Sequence, residues 1–423
     1  MGEPLIKNLE EIIGQRLSRN ETIKKTEILN FLEPGENYLS EMTKINVSVK
    51  NRITEAERDI YIIGKCVAKP PPNGNDFVKD FSPFLFTKEM MFYKEVIPAI
   101  QTFLKNRGAS PVDYYPEFYG GRLNLSGGSK ADSDAVLLLE NLHTSGYQNM
   151  DRHEGFDFDG AKTVLKDLAH FHAVPVAMKL LEPKLFQEKI QKIFDIKPPS
   201  PPKKPEGKPD EPPPPMPALT KELMVAVLEE DDKCVPAIPS FLEMIEKQRS
   251  ISFEEMLNMK QREPFATMAH MDMWLNNTMQ KLDHKNRPIK NKFVDFQVLS
   301  YASPVRDLLF LLITSVQLSV LKTRFDYLLK YYHDNFTKVL KELGCDLTPF
   351  SYENFIEEVK AMAPASIEHG SFFLLIIVSG KKGVAADPTQ AAKLVKDDLD
   401  QKAREKFRFI IHEAYKRGWM HQS

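Results

Sequence analysis

The stretch "HMDMWLNN", His270–Asn277, decides how this chain is interpreted, because it sets three polar side chains at a fixed spacing. Asp272 follows His270 by two residues, and Asn277 follows Asp272 by five. A second carboxylate, Asp295, comes later in "FVDFQ", where an apolar strand ends. Two carboxylates and an amide in this order can orient a hydroxyl group and hold a magnesium ion.

This spacing matches the H-x-D-x-x-x-x-N pattern of kinase catalytic loops, with their downstream Asp-Phe dipeptide. In that template the first carboxylate accepts the proton of the attacking hydroxyl. The amide and the second carboxylate hold Mg²⁺ against the phosphates of ATP. The pattern therefore predicts Asp272 as the catalytic base and Asn277 and Asp295 as magnesium ligands. So short a pattern also occurs by chance. Whether it is a kinase catalytic loop therefore depends on the upstream sequence.

Four further parts of the kinase template occur upstream in the required order. Lys69 ends the apolar strand Ile60–Lys69, where a kinase places the lysine that binds the α- and β-phosphates, and Glu89 lies on the next helix. The segment "LLLENL", Leu137–Leu142, is typical of a hinge strand whose backbone binds adenine. Before them all, "EPGENYLSEM", Glu33–Met42, predicts a turn between two strands that could cover the phosphates.

With these parts in place, the chain resembles the ecdysteroid kinase-like (CHK kinase-like) proteins, a family abundant in insects and related to the aminoglycoside and choline kinases. The resemblance runs over nearly the whole chain, and its most specific mark is Trp274, two residues after the catalytic aspartate. The matching stretches are "PGENYLSEM", "VAKPPP", "LFTKEMMFYKEVIP", "LLLENLHTSGY", "LKDLAHFHA", "HMDMWLNN", "FVDFQ" and "SPVRDLL".

The resemblance implies a kinase-like fold, ATP with Mg²⁺, and phosphorylation of a hydroxyl on a small molecule, with ecdysteroids as the named substrates. It implies that Lys69 binds the phosphates and pairs with Glu89, and that the backbone of Glu140 and Leu142 meets adenine. Lys65 competes for the phosphate role, because it lies four residues earlier on the same face of the strand. Lys69 is preferred because it stands directly before the prolines, as in the family.

The chain departs from the family pattern at two places. Met271 stands where the family usually has glycine after the catalytic-loop histidine, which affects backbone geometry more than chemistry. The phosphate loop contains Gly35 alone in place of a G-x-G-x-x-G motif, so Asn37 or Ser40 is expected to help hold the phosphates.

Other polar residues near these motifs have structural roles in our interpretation. His270 is expected to anchor the catalytic loop, and Asp307, in "SPVRDLL", to accept hydrogen bonds from the backbone of that loop. His170 and His172 lie two residues apart on a predicted helix and point in different directions, which favours packing over metal binding. Trp274 is expected to pack beneath the loop.

The distribution of periodicities predicts an α+β protein with two lobes and a protein kinase-like fold. Strands are expected early, at Lys44–Lys50, Ile60–Lys69 and Ala135–Leu139. Apart from one early helix at Phe84–Leu104, helices dominate after Gly160 and include Ala161–Leu181, Leu219–Leu228, Ser303–Phe336 and Tyr352–Ala361. We assign residues 1–139 to an N-lobe with the phosphate loop, the lysine strand and the glutamate helix, and residues 140–423 to a helical C-lobe with the catalytic loop.

One segment of the C-lobe differs in composition from the rest of the chain. Lys197–Pro217, "KPPSPPKKPEGKPDEPPPPMP", contains 11 of the 30 prolines and no aromatic residue, so it cannot form a sheet or bury a core. It is expected to be a disordered, exposed insertion. The alternative is a docking site for a proline-binding partner protein.

Composition limits the classes of partner. The net charge of −2 argues against nucleic acid or a membrane surface as a general partner. The three cysteines, Cys66, Cys234 and Cys345, are far apart and form no C-x-x-C motif, which fits a reducing compartment. The longest apolar run, Leu308–Leu321, is interrupted by polar residues and is too short to span a bilayer. A cytoplasmic protein without membrane insertion is therefore expected.

Only seven residues separate Asp295 from Ser303, which leaves no room for the long segment that protein kinases use to dock a peptide. The favoured hypothesis is an ATP-dependent kinase acting on a small lipophilic alcohol, with an ecdysteroid as the candidate. The alternative is a catalytically silent kinase-like protein that binds a lipophilic ligand or a protein partner. The intact set of Asp272, Asn277, Asp295 and Lys69 favours the enzyme, because a silent relative tends to lose one of them.

Overall fold

The computed structural model describes residues 6–30, 40–67, 76–199, 220–251, 255, 259–378, 380, 394 and 396–420. The strands are β1 (Glu21–Asn30), β2 (Ser40–Asn51), β3 (Glu57–Val67), β4 (Phe118–Arg122), β5 (Val136–Glu140), β6 (Tyr147–Gln148), β7 (Thr267–Ala269), β8 (Thr278–Leu282), β9 (Pro288–Phe293) and β10 (Ser300–Ala302).

The helices follow the same chain order. They are α1 (Leu9–Gly14), α2 (Asp76–Met91), α3 (Ile97–Asn106), α4 (Phe158–Leu181), α5 (Pro183–Phe186), α6 (Lys192–Phe194), α7 (Lys221–Leu228), α8 (Ile238–Ser250), α9 (Val305–Ser315), α10 (Leu318–Glu342), α11 (Tyr352–Phe373) and α12 (Gln401–Lys416). The expected α+β fold class, with strands early and helices late, is confirmed.

The N-terminal lobe is built on an antiparallel sheet in the order β1-β2-β3-β5-β4. Alternate residues of β2, namely Ile45, Val47 and Val49, are buried on one face against α1. The period of two therefore decides which face of the strand meets the core. Strands β2, β3 and β5 occupy the regions where the alternation and the short apolar run predicted them.

Helix α2 crosses behind this sheet and continues through a π-helical segment, Phe92–Val96, into α3. The predicted helix Phe84–Leu104 is thus present, with one π interruption. Its apolar positions, among them Phe86, Met90 and Ile100, are buried in the main core. The same spacing buries Glu89, which is 1% exposed, on the face of α2 that points towards β3.

In the helical lobe the predicted helix Tyr352–Ala361 continues to Phe373 as α11, and another predicted helix is divided. The expected single helix Ser303–Phe336 is two helices, α9 and α10, separated at Val316. Here the backbone N–H of Phe156 donates to Ser315 O at 2.7 Å, and the N–H of Gln317 donates to Phe156 O at 3.0 Å. These two bonds from a neighbouring loop take backbone groups that a continuous helix would use, so the helix breaks despite its apolar periodicity.

Two small sheets in the helical lobe position the polar residues of the opening motif. β7 pairs with β10, and β8 pairs with β6 and β9. The loop 270–277 connects β7 to β8, and Asp295 lies between β9 and β10. Both motifs therefore emerge from paired strands beside α4 and α9, and the seven residues after Asp295 are occupied by a 3₁₀ turn and β10.

Helix α11 with its π-helical extension, Tyr352–Val378, is long and apolar enough by length and composition to cross a membrane. However, 67% of its most apolar window is buried inside the protein, and α11 packs along α9. We therefore interpret it as a core helix. Most of the predicted proline-rich insertion, residues 200–217, lies outside the described residues, so its expected disorder stays a prediction.

Candidate active site

Asp307, on the first turn of α9, fixes the start of the catalytic loop. Its Oδ2 accepts a hydrogen bond from the backbone N–H of His270 at 2.6 Å, and its Oδ1 accepts one from the N–H of Met271 at 2.8 Å. This is the role that the sequence indicated for Asp307. Since the carboxylate is 1% exposed, water does not compete for these bonds, and the loop conformation is held by α9.

Behind Asp307 lies a buried chain of polar groups. His172 Nε2 donates to Asp307 Oδ2 at 3.0 Å, and Tyr332 OH donates to His172 Nδ1 at 2.7 Å. Burial alone would raise the pKa of Asp307, but the hydrogen bonds from His172 and from the backbone of His270 outweigh burial and lower it. His172 is therefore a packing residue that supports the loop, as expected, and both of its ring nitrogens are occupied.

The two ends of the catalytic motif contact each other directly. Asn277 Nδ2 donates to Asp272 Oδ2 at 2.7 Å and to Asp272 O at 2.9 Å. No described residue donates a hydrogen bond to Asn277 Oδ1, so the amide oxygen is the end available to a cation. Burial, and then the negative charge of Asp295, raise the pKa of Asp272 to about 7. The pKa of Asp272 is thus close to neutral pH, as is typical of a general base.

Lys65 is the lysine that the structure brings to the carboxylates. Its Nζ lies 2.6 Å from Glu89 Oε2 and 2.7 Å from Asp295 Oδ1, and its side chain is 6% exposed. The sequence preference for Lys69 as the partner of Glu89 is therefore corrected: Lys65 makes this pair, and Lys69 lies outside the described residues. Lys65 lies within the sheet, opposite Leu137 of β5, where backbone pairing on both sides fixes its position.

Glu89 and Asp295 also receive backbone and side-chain hydrogen bonds that fix their positions. The N–H of Phe296 donates to Glu89 Oε1 at 3.3 Å, and Gln297 Nε2 donates to Asp295 Oδ2 at 3.3 Å. The Phe296 ring stacks on Phe92, with centroids 4.1 Å apart. These contacts tie the helix that carries Glu89 to the segment that carries Asp295, so the lysine lies between two carboxylates of fixed position.

Two residues of the site have left-handed backbone conformations, with φ of 67° at Met271 and 66° at Asp295. Side-chain-bearing residues adopt this region at a cost of about 1–2 kcal/mol. This conformation gives a reason for the glycine that the resembling family usually has at position 271, because glycine adopts it without that cost. Met271 departs from the family pattern and carries the cost. The bonds from Asp307 hold Met271 in place despite the strain.

Hydrogen bonds join the catalytic loop to the segment that ends at Asp295. His270 Nε2 donates to Val294 O at 3.1 Å, and the N–H of Val294 donates to Asn277 O at 3.0 Å. His270 is fully buried, which fits the expected anchoring role. Trp274 is 8% exposed and packs edge-on against Phe373, with the two ring centroids 4.8 Å apart. Because these contacts fix both segments together, Asp272, Asn277 and Asp295 belong to one site.

The expected hinge lies at the end of β5. The N–H of Leu142 donates to none of the described residues, whereas the N–H of Glu140 donates to Glu117 O at 2.8 Å. The Leu142 side chain packs with Met279 and Val294, which gives the hinge an apolar floor. Leu142 N–H therefore suits the adenine contact that the sequence predicts, while Glu140 could take part only through its carbonyl.

The carboxylate of Glu140 is used internally. It accepts hydrogen bonds from Ser145 Oγ at 2.5 Å and from Lys292 Nζ at 3.0 Å. Burial alone would raise the pKa of Glu140, but these two donors outweigh burial and lower it. Lys292 also donates to Tyr115 O at 3.1 Å. Sequence reasoning missed this cluster, because a lysine on an alternating strand gives no sign of its distant partner.

The expected phosphate loop falls largely outside the described residues. Asn37 belongs to residues 31–39, of which nothing is described. Ser40 begins β2, with its backbone opposite Val67 of β3, and its side chain is not described. The roles predicted for Asn37 and Ser40 therefore stay predictions.

The donor set of the site suits a magnesium ion delivered with a nucleotide. The described residues contain no group of three or more His, Cys, Asp and Glu side chains that could hold a metal. The amide oxygen of Asn277 and the carboxylate of Asp295 would supply two oxygen ligands, and Mg²⁺ characteristically completes its shell with phosphate oxygens and water. The chain therefore fits Mg²⁺ as part of a nucleotide complex, not as a resident ion in an all-protein cage.

The similarity of the chain to known proteins agrees with this geometry. A model of the ecdysteroid kinase-like family matches residues 34–345, more than half of the 423 residues. The chain belongs to the ecdysteroid kinase-like family. The match spans β2, the Lys65–Glu89 pair, the hinge, the catalytic loop and Asp295. The family resemblance drawn from the motifs is thereby confirmed.

No curated protein matches this ecdysteroid kinase-like chain in sequence. Among solved structures, it is similar to the crystal structure of spectinomycin phosphotransferase, APH(9)-Ia, in complex with ADP and spectinomycin. That match covers 93% of this chain and 94% of that chain, at 12% sequence identity and a TM-score of 0.36.

Proposed function

We propose that this protein transfers the γ-phosphoryl group of magnesium-bound ATP to a hydroxyl of a small lipophilic alcohol, with ecdysteroids as the candidate acceptor class. The observation that carries the proposal is the contact of Lys65 with both Glu89 and Asp295, beside the Asp272–Asn277 pair. Membership of the ecdysteroid kinase-like family supports phosphotransfer to a small molecule. The choice of ecdysteroids depends on the family description alone.

Lys65 is suited to bind phosphate oxygens. Burial would lower its pKa, but the charges of Asp295 and Glu89 outweigh burial and raise it, so the side chain stays an ammonium ion at neutral pH. In the proposed reaction Glu89 orients this ammonium group. Asp295 contacts the ammonium group and would also be a ligand of the magnesium ion. Mg²⁺, when bound, would neutralise charge on the phosphates.

Asp272 is suited to accept the proton of the acceptor hydroxyl. Its Oδ2 receives a hydrogen bond from Asn277, which fixes the direction of the carboxylate. The raised pKa of about 7 describes the free protein, and a bound cation at Asn277 and Asp295 would favour the carboxylate form that a base requires. Positioning and electrostatics therefore supply most of the proposed rate enhancement.

The short connection after Asp295 supports a small acceptor. Residues 296–302 form a 3₁₀ turn and β10, and β10 is paired with β7. This connection has no segment of its own on which a peptide substrate could dock. The helices between the hinge and the catalytic loop are the elements that would enclose the acceptor.

The test is a screen for transfer of labelled phosphate from γ-labelled ATP in the presence of Mg²⁺. The acceptors are ecdysteroids, other hydroxylated sterols and non-steroidal lipophilic alcohols, each measured with wild type, Asp272→Asn and the surface control Arg324→Met. The proposal expects a labelled product with wild type and the control, and none with Asp272→Asn. Saturable binding of Mg²⁺-ATP without transfer to any alcohol would favour the silent, ligand-binding alternative instead.

A further inference from the structure

The catalytic loop has two ends, and Asp307 fixes the first of them. Its carboxylate accepts hydrogen bonds from the two backbone N–H groups at the start of the loop. The other end is a 3₁₀ turn, Leu275–Asn277, which carries the proposed magnesium ligand Asn277. Helix α9 ends at Ser315, eight residues after Asp307. Residues with this spacing lie on one broad face of a helix, about 12 Å apart along its axis.

The side chain of Ser315 contacts the second end of the loop. Ser315 Oγ accepts a hydrogen bond from the backbone N–H of Leu275 at 2.9 Å. Leu275 is the first residue of the 3₁₀ turn, and the first N–H groups of a helical turn have no partner inside that turn. Both residues are 1% exposed, so water does not take over this bond. Ser315 therefore supplies the acceptor that the turn itself lacks.

The neighbouring residue Thr314 sets the direction of the Ser315 hydroxyl. Thr314 Oγ1 donates to Phe310 O at 2.7 Å and lies 2.9 Å from Ser315 Oγ. Because Phe310 O takes the hydroxyl hydrogen of Thr314, the Ser315 hydroxyl donates to Thr314 Oγ1. A lone pair of Ser315 Oγ is then left for the N–H of Leu275. The acceptor is thus oriented by α9 and not by the loop.

The backbone of Ser315 is fixed by a third segment of the chain. The N–H of Phe156 donates to Ser315 O at 2.7 Å. Gly155 precedes Phe156 with a φ of 75°, and a Cβ at Gly155 would lie 2.8 Å from Ser315 O. Only glycine permits this close approach at a positive φ. Ser315 is therefore a fixed point to which the 3₁₀ turn is attached.

The turn transmits the position of Leu275 to Asn277. The N–H of Asn277 donates to Trp274 O at 3.0 Å, and Thr278 Oγ1 donates to Leu275 O at 2.8 Å. The Asn277 side chain donates through Nδ2 to Asp272, which directs its oxygen away from that contact. Because these bonds make the turn one unit, a shift of Leu275 would move the amide oxygen of Asn277.

We propose that Ser315 is a positioning residue for magnesium: by holding Leu275, it keeps the amide oxygen of Asn277 where it can bind the ion together with Asp295. Helix α9 then braces the catalytic loop at both ends, with Asp307 on the side of the base and Ser315 on the side of the metal ligand. This inference deepens the proposed function and rests on it for the assignment of Asn277 as a ligand.

The test measures binding, without turnover. Calorimetry gives the Kd for ATP in EDTA and at a series of Mg²⁺ concentrations. Ser315→Ala removes the acceptor, and Ser315→Cys keeps a side chain of similar size whose sulfur accepts hydrogen bonds weakly. The control Ser366→Ala removes another buried hydroxyl, on α11, which is 4% exposed and donates to Met362 O at 3.0 Å within its own helix. Denaturant unfolding establishes that each variant is folded.

A hydrogen bond between uncharged groups changes an equilibrium constant about two- to tenfold. Without this bond the turn holds Asn277 in the binding position for a smaller fraction of the time, and the apparent affinity for the ion falls by the same factor. We expect the Mg²⁺ concentration for half-maximal tightening of ATP binding to rise about two- to tenfold in Ser315→Ala and Ser315→Cys. The Kd for ATP in EDTA should match wild type, and Ser366→Ala should match wild type throughout.

Hydrogen exchange in the metal-free protein tests the brace itself. A peptide that spans Leu275–Asn277, followed by mass spectrometry, should exchange its backbone amides faster in Ser315→Ala and Ser315→Cys than in wild type and Ser366→Ala. Unchanged exchange in both Ser315 variants would overturn the proposal.

Three binding results would also overturn it. They are an unchanged Mg²⁺ midpoint in Ser315→Ala, a Ser315→Cys variant that behaves like wild type, and an ATP affinity that falls by the same factor in EDTA and in Mg²⁺. The last result would indicate a general distortion of the site. ATP binding that does not depend on Mg²⁺ in wild type would overturn the proposal as well.

Phosphate transfer to alcohols is measured separately. If the Mg²⁺ midpoint shifts as expected and no alcohol is phosphorylated, the inference about Ser315 stands and the proposed function fails. If an alcohol is phosphorylated and the midpoint is unchanged in Ser315→Ala, the proposed function stands and the inference fails.

Discussion

Replacing Asp272 by asparagine should remove catalysis and at the same time stabilise the metal-free protein. The carboxylate is partly buried, lies near the charge of Asp295 and has a pKa of about 7 against an ordinary value of 3.8. Asparagine keeps the shape and can still accept the hydrogen bond from Asn277. It lacks both the negative charge and the basic oxygen.

The expected stability change follows from the pKa. A rise from 3.8 to about 7 corresponds to a cost of at most about 4 kcal/mol when Asp272 is ionised, at about 1.4 kcal/mol per pKa unit. Because the side chain keeps some contact with solvent, we expect about 2 kcal/mol. The folded protein binds this proton more tightly than the unfolded chain. The cost is therefore absent below about pH 4, grows between about pH 4 and 7, and is complete above about pH 7.

The assay is denaturant unfolding of wild type and Asp272→Asn in EDTA at several pH values, combined with steady-state kinetics in Mg²⁺. The variant should be more stable at pH 8, and its advantage should disappear towards pH 4. Its kcat should fall about a hundredfold or more while the Kd for Mg²⁺-ATP changes little. Asp283→Asn is the control, because hydrogen bonds from Arg287 lower the pKa of Asp283, so this change should not stabilise at any pH. A pH-independent difference for Asp272→Asn, or a near-native kcat, would refute the reasoning.

Three further changes test other parts of the site. Lys65→Met should raise the Kd for Mg²⁺-ATP, measured by calorimetry, about tenfold or more, whereas the control Lys69→Met should leave this Kd nearly unchanged. The reverse result would restore the sequence preference for Lys69. Asp295→Ala should weaken ATP binding most strongly when Mg²⁺ is limiting, and an unchanged Mg²⁺ dependence would remove Asp295 as a ligand. Met271→Gly should have a free energy of unfolding about 1 kcal/mol higher than Met271→Ala in denaturant unfolding, because the φ of 67° strains alanine and not glycine. Equal stabilities of the two variants would contradict that strain.

The catalytic motif and the family could be read from the sequence, because their residues are close together in the chain and their order is fixed by topology. The spacing of Asp272 and Asn277 places both on one loop. The "SPVRDLL" motif predicts that Asp307 accepts hydrogen bonds from the backbone of that loop, and the structure shows these bonds. Strand and helix periodicities located β2, β3, β5 and most helices.

The choice between Lys65 and Lys69 could not be settled in this way. Both lie on one face of the strand that the sequence predicts, Ile60–Lys69. The position of Glu89 on α2 selects Lys65, and that position depends on how the helix packs across the sheet. One local signal in the sequence favours Lys65. Proline removes backbone donors, so strand pairing is expected to weaken before the run of prolines that begins at Pro70, and Lys65 lies further from that run than Lys69.

The break between α9 and α10 was also beyond the sequence. The break comes from hydrogen bonds that Phe156 makes from another part of the chain, and apolar periodicity continues through it. Long-range hydrogen bonding decides this break, and local helix propensity carries no information about it.

The central claim is that Lys65, Glu89, Asp272, Asn277 and Asp295 form a site that moves a phosphoryl group from ATP to an alcohol. Phosphorus NMR of wild type with ATP, Mg²⁺ and ecdysone tests it most directly, with Asp272→Asn measured in parallel. The account predicts a phosphate monoester that forms in equal amount with ADP in wild type and is absent in the variant. Inorganic phosphate as the only new phosphate species beside ADP, or the same product in both proteins, would contradict it.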